Sequence, residues 1–203
     1  MSTPQTTVPH PSSVLVRPAH AEECAHVAWL AALTFPLACP PGTAVATMAA
    51  HVAAHLSPSA VSGWIESDTH ALLVAVAADQ DDRPDHGPAT PVGYALVALG
   101  EPDGADEREV LRSTAGPGPY AELSKIYVHP DALGGGVAAL LLEAAVAAAA
   151  DLGGAAPVWL GTNGQNARAQ AFYRKHGFEV AGRRTYDVGG QQHDDVVMLR
   201  RSA

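Results

Sequence analysis

Apolar positions in the first half of the chain change period several times. A short extended run over 14–17 is closed by Pro18, and from 19 to 33 Val27, Leu30 and Leu33 recur at helical spacing. Thr34-Phe35-Pro36 ends that helix, Cys39-Pro40-Pro41-Gly42 makes a turn, and a second helix is predicted over 45–56. Ser57-Pro58 carries the N-cap and first-turn pattern of a short third helix that includes Trp64. The apolar stretches 71–77 and 92–99 read as strands. Between and after them, 79–91 and 101–119 are rich in proline, glycine and charge, and both are predicted as long surface loops.

The last third is more regular. A strand over 123–128 and a turn over 129–133 lead to Gly134-Gly135-Gly136, which opens an alanine-rich helix running to about residue 152, closed by Gly153-Gly154. A strand over 157–161 precedes a helix over 166–176, which Gly177 stops, with Phe178 placed to pack back on it. Strands over 180–188 and 195–199 form a hairpin about Gly189-Gly190. Leu140, Leu141, Val146, Phe172 and Phe178 are the predicted core of this part. Residues 1–13, with three prolines and no apolar period, are expected to be a flexible tail, and 14–203 a single domain.

Charge narrows the range of partners. Twelve Lys and Arg against 21 Asp and Glu leave −9, which disfavours a nucleic-acid backbone and suits a cationic small molecule. Cys24 and Cys39 have no CxxC spacing, so neither a structural zinc site nor a disulfide scaffold is expected, and the reading is a reducing cytoplasm. No apolar run reaches the roughly 18 residues of a membrane span, and the opening residues lack a charged-then-apolar leader. His51 and His55 stand four apart, but Val52 occupies the place of a metalloprotease glutamate and no third ligand is evident, so no metal is expected.

A strand, a Val-His-Pro turn and three glycines opening a helix make an anion cradle, because backbone N–H groups and the helix dipole converge there. Alone, the same unit serves equally as a packing junction. It is not a GxxxxGK[ST] loop, and Ala139 stands where GxGxxG needs its third glycine. Downstream, Asn166, Ala169 and Tyr173 share one helical face, offering an amide, a gap and a phenol.

The two segments ELSKIYVHPDALGGGVAALLLEAA and NARAQAFYRKHGF, in that order, resemble the GCN5-related N-acetyltransferases (GNAT). The resemblance covers 122–178 well and 14–199 more loosely. It implies an α/β (α+β) fold with a mixed, mostly antiparallel sheet of six or seven strands and helices on both faces, acting with acetyl-CoA as co-substrate. The pyrophosphate loop pattern falls on Leu133, Gly134, Gly135, Gly136, Val137 and Ala138, with Leu133 where Gln or Arg is usual. Ile126, Tyr127 and Val128 would run beside the pantetheine arm, Asn166 and Ala169 would line it, and Tyr173 would stand near the thioester sulfur.

A phenol of ordinary pKa about 10 can protonate a departing thiolate, so Tyr173 is the candidate acid. Glu122, opening the central strand, is the candidate base. The family's carboxylate position at the end of the next strand is here Gly161. ELSKIYV, Trp159-Leu160-Gly161, QHDDVVM and Thr34-Phe35 are similar to bacterial spermidine/spermine N-acetyltransferases, which implies an acceptor pocket of Phe35, Trp64, Glu122 and Tyr186. The expected activity is acetyl transfer to a primary amine of a small molecule, a polyamine in that subgroup. A protein N-terminal or lysine acetyltransferase and a non-catalytic acyl-CoA sensor stay open as alternatives. The C-terminal hairpin is a candidate homodimer surface.

Overall fold

The computed structural model describes residues 14–39, 42–81, 87–188 and 191–200. The expected tail over 1–13, the Pro40-Pro41 part of the first turn and the Gly189-Gly190 hairpin centre lie outside them. In chain order the elements are β1 (Val14–Pro18), α1 (Cys24–Ala38), α2 (Val45–His55), α3 (Pro58–Ile65), β2 (His70–Ala77), α4 (Ala78–Asp81), β3 (Gly93–Gly100), α5 (Ala105–Ala115), β4 (Tyr120–Val128), α6 (Val137–Gly153), β5 (Val158–Asn163), α7 (Ala167–Lys175), β6 (Phe178–Val188) and β7 (Gln191–Arg200). Seven strands form one mixed, mostly antiparallel sheet in the order β1-β2-β3-β4-β5-β7-β6. The pair β4–β5 is parallel, and β1–β2, β5–β7 and β6–β7 are antiparallel. Among the described residues no helix is long and apolar enough to cross a membrane.

The chain groups into two compact units, one of Met1–Glu66, Leu72–Ala95 and Ile126–Ala144, the other of Ser67–Ala71, Leu96–Lys125 and Ala145–Ala203. In the first, β1 pairs with β2 from Val14 against Ala77 to Pro18 against Leu73. Helix α1 buries Val27, Ala28, Leu30 and Ala31. It also runs five residues past the expected stop at 33, with Pro36 inside its last turn. Pro36 offers no N–H to the Ala32 carbonyl, but its fixed φ is helical, and α1 continues through it to Ala38. Thr34, buried, turns its hydroxyl back onto the Leu30 carbonyl at 2.7 Å. Ser57 caps α3 as expected, accepting from the Ala60 N–H.

An ion pair locks the start of α1 to the first strand. Arg17 reaches both carboxylate oxygens of Glu23, at 2.8 and 2.9 Å, and donates to Asp81 of α4 at 2.5 Å. Glu23 is fully buried and also accepts from the His20 N–H. Burial alone would raise its carboxyl; the Arg17 bonds, with help from the His20 N–H, outweigh that and hold it below the ordinary value.

In the second unit Leu111, Tyr120, Trp159 and Val197 form a closed apolar cluster, with Val110, Ala115 and Leu199 against it. Leu111 and Val110 belong to α5, an element absent from the sequence reading, which made 101–119 a loop. Its only large apolar residues are these two, and Pro102, Gly116, Pro117, Gly118 and Pro119 flank it. Asp106 and Glu107 in the first turn and Arg112 in the last complement the helix dipole, and burial of Leu111 anchors the rest. The loop expected over 79–91 likewise begins with the short helix α4. Of the predicted core, Leu141 and Phe178 are buried, whereas Leu140, Val146 and Phe172 are half-buried.

Glu23→Gln should cost about 3 kcal/mol at neutral pH, because it leaves the Arg17 charge short of a buried partner. The folded carboxyl titrates below its unfolded value, so this stabilisation is present above about pH 4–5 and declines as pH falls through the depressed pKa. Urea unfolding of parent and variant from pH 7 to 3 checks it: the two curves should converge at the acid end.

Candidate active site

Strand β4 ends at Val128, and a 3₁₀ turn over Pro130–Ala132 follows, its start capped by His129 Nδ1 accepting the Asp131 N–H. Leu133 is extended and exposed. Gly134 and Gly136 then take φ of +83° and +81°, values that side chains disfavour, so the chain can turn sharply into α6. The Gly135 N–H returns to Ala132, and those of Ala139 and Leu140 to Gly136. The first N–H groups of α6, from Val137 on, are of the kind that a helix start leaves without an intrahelical partner. A helix start of this kind carries the positive end of the helix dipole, which suits an anion such as a phosphate.

The neighbouring end of β4 holds Ile126, Tyr127 and Val128, all half-buried. The Tyr127 ring stacks at 5.6 Å on the buried Tyr94, whose phenol burial pushes well above its ordinary value. Also in this first unit, Phe35 lies face to face on His51 at 4.3 Å, and His51 meets His55 at 4.8 Å. The structure thus gathers Phe35 with the histidine pair on adjoining helices; Trp64 is half-buried on α3. The side chain of Tyr186 lies outside the described residues.

The second unit holds the other predicted groups. Asn166 is the N-cap of α7, its Oδ1 accepting the Ala169 N–H at 3.0 Å. Its amide NH₂ is therefore the end that can serve a ligand. One turn further on, Ala169 is half-buried. Tyr173, another turn along, is wedged edge-on against Phe172 at 5.4 Å and Phe178 at 5.8 Å. Gly177, with φ of +86°, ends the helix and brings Phe178 into the core.

Glu122 lies on β4 opposite Trp159 of β5. Burial raises its carboxyl; Arg184 and Lys125 pull the other way, and Glu107 and Asp103 push it up further. Lys125, three residues on, is pulled below its ordinary value by burial, against the attraction of Glu122. Arg184 of β6 is the group that sequence reasoning missed. Its guanidinium pairs with Glu107 at 3.4 Å and Asp195 at 3.5 Å and lies 5.6 Å from the Trp159 ring. Seventy-seven residues separate Arg184 from Glu107, and no local pattern links them. Among the described residues no group of three His, Cys, Asp or Glu is placed to hold a metal ion.

Comparison with known proteins adds the chemical context. The model of the acetyltransferase (GNAT) family matches residues 37–178. Uncharacterised N-acetyltransferases of Mycobacterium tuberculosis and Mycobacterium bovis are 40% identical over 174 residues, spanning 86% of this chain and 94% of theirs. In fold the chain is similar to the PaiA N-acetyltransferase of Thermoplasma acidophilum in complex with coenzyme A, at a TM-score of 0.67 and 17% identity, over 94% of this chain and 99% of that one. It is also similar to Arabidopsis thaliana NAA60 in complex with a bisubstrate analogue, at 0.65 and 15%, over 92% and 98%.

Because Asn166 caps α7, Asn166→Ala should lower stability by about 1 kcal/mol, whereas Asn166→Asp, which keeps an acceptor at the cap, should lose far less. Urea midpoints of the three proteins test the cap apart from any ligand.

Proposed function

The chain belongs to the acetyltransferase (GNAT) family, and from that membership we propose that it moves an acetyl group from acetyl-CoA to a primary amine of a small molecule. The observation that carries the co-substrate assignment is the glycine turn: two left-handed glycines and the first N–H groups of α6 fit the anionic pyrophosphate of a CoA ester. In this reading Leu133–Ala138 hold the phosphates and Ile126–Val128 bond the pantetheine arm, and the family resemblance assigns Asn166 and Ala169 to that arm as well. The co-substrate supplies an activated acetyl thioester.

The chain's own groups manage the protons. An acceptor ammonium must lose a proton before its nitrogen can attack, and the Glu122 carboxylate takes that proton, directly or through a water. The Tyr173 phenol, held by Phe172 and Phe178, donates its proton to the sulfur as the carbon–sulfur bond breaks; the second proton of the attacking nitrogen passes to solvent as the amide forms, and the phenolate regains a proton from solvent. A small cationic acceptor is supported by the net charge of −9 and by the carboxylates of Glu107, Asp103 and Glu122 gathered in one unit. A polyamine is the acceptor suggested by the likeness of ELSKIYV and QHDDVVM to the spermidine/spermine subgroup. The two free cysteines fit a reducing cytoplasm.

CoA release from acetyl-CoA with spermidine, spermine, amino acids, aminoglycosides and short peptides tests the acceptor class. Release with peptides alone would move the assignment to protein acetylation, and tight acetyl-CoA binding without release to a sensor. Tyr173→Phe should cut turnover about 10²-fold and leave acetyl-CoA affinity by calorimetry unchanged; full turnover would refute its role as acid. The base must be ionised and burial raises it, so kcat/KM should fall on acidification through a limb above the ordinary glutamate value of about 4.3, and Glu122→Gln should abolish that limb.

A further inference from the structure

Strand β5 places Trp159 and Gly161 on the same face, two residues apart, and the register sets Trp159 beside Glu122 of β4. A Cβ built at Gly161 would overlap the Nη2 and Cζ atoms of Arg184. The guanidinium therefore fills the space that residue 161 leaves empty and crosses the Trp159 ring. It is held there from two directions. Glu107 comes from α5, which packs on β6, and Asp195 from β7, whose backbone pairs with Arg184 itself. The side chains of all three are about nine-tenths buried. A charge so enclosed has little solvent to screen it and little freedom to leave.

We propose that Arg184 is a positioning residue for the acetyl transfer: clamped by Glu107 and Asp195 across Trp159, it fixes one positive charge over the strand face from which Glu122 projects, and Gly161 is the gap that admits it. The inference rests on the reading of Glu122 as base. A carboxyl that burial drives toward its neutral form is useless as a base until something favours the anion, and Arg184 is the foremost group doing so. The other charges facing Glu122 are Lys125 on its own strand, which acts in the same sense, and Glu107 and Asp103 from α5 and the segment before it, which oppose. Asp195 of β7 faces Arg184. Lys125 is the weaker support, since burial draws its own ammonium toward neutrality. Arg184 carries no such liability, because a guanidinium stays charged throughout the working range of an enzyme.

The test reads Glu122 directly in the ligand-free protein, by NMR titration of ¹³C-labelled glutamate carboxyls with the Glu122 signal identified from Glu122→Gln. Arg184→Gln should raise the Glu122 midpoint by about one pH unit, a tenfold gain in proton affinity. Arg184→Lys, which keeps the charge, should stay near the parent. Gly161→Ala, which keeps the arginine but closes its gap, should raise the midpoint by less than Arg184→Gln. An unmoved midpoint in Arg184→Gln, or a lysine variant that shifts as far as the glutamine one, overturns the proposal. If Arg184→Gln fails to melt cooperatively, Gly161→Ala decides: a midpoint equal to the parent's overturns it.

The reading beneath it fails separately. If Glu122→Gln keeps full CoA release with an active amine while Arg184→Gln still shifts the titration, Glu122 is not the base and the electrostatic assignment of Arg184 stands. If Glu122→Gln is inactive and Arg184→Gln shifts nothing, the base stands and the assignment of Arg184 falls.

Discussion

A guanidinium taken out of water costs several kcal/mol unless charges and hydrogen bonds replace its hydration. Arg184 meets that requirement with Glu107 and Asp195, and much of the second unit follows from it. Helix α5 must lie on β6 to deliver Glu107, and a Cβ at Gly182 would press on Val110 of that helix. Residue 161 must lack a side chain, and Trp159 must offer its ring. The apolar cluster of Leu111, Tyr120, Trp159 and Val197 seals these groups from solvent, so packing and charge placement are one constraint here.

The helix starts at α6 and α7 are used in opposite ways. Asn166 closes the start of α7 with its own side chain and so fixes where Ala169 and Tyr173 stand. At the start of α6, Gly134 and Gly136 take positive φ and turn the chain sharply into the helix, whose first N–H groups have no intrahelical partner. An uncapped helix start is a defect in a protein that binds nothing there and an anion site in one that does. Membership in an acetyl-transferring family is the ground on which the anion site is proposed here.

Burial also explains why Glu122 and Lys125 move in opposite senses, the acid upward and the amine downward. Each is drawn toward its neutral form, which is the condition under which a side chain exchanges protons near neutral pH. The Arg17–Glu23 pair of the first unit shows the other regime. There the bonds outweigh burial, the carboxyl is held ionised, and the pair serves the fold.

Local chemistry in the sequence was sufficient for the cap at Ser57, the glycine turn, the stop at Gly177 and the order of the seven strands with helices α1–α3, α6 and α7, because each depends on residues within a few positions of one another. It was sufficient too for the family, whose two motifs are both contiguous. It was insufficient where a distant partner supplied the energy. Helix α5 has two large apolar residues and looked like a loop, and only the pocket around Leu111 makes it a helix. Pro36 looked like a stop, but its fixed φ is helical and α1 runs two residues past it to Ala38. Arg184, Glu107 and Asp195 stood in the sequence as ordinary surface charges, since nothing within a few residues of any of them announces burial. Their conversion into a fixed field beside Glu122 is decided by the tertiary structure alone, because desolvation and charge pairing depend on what the fold brings near, not on what the chain places next in line.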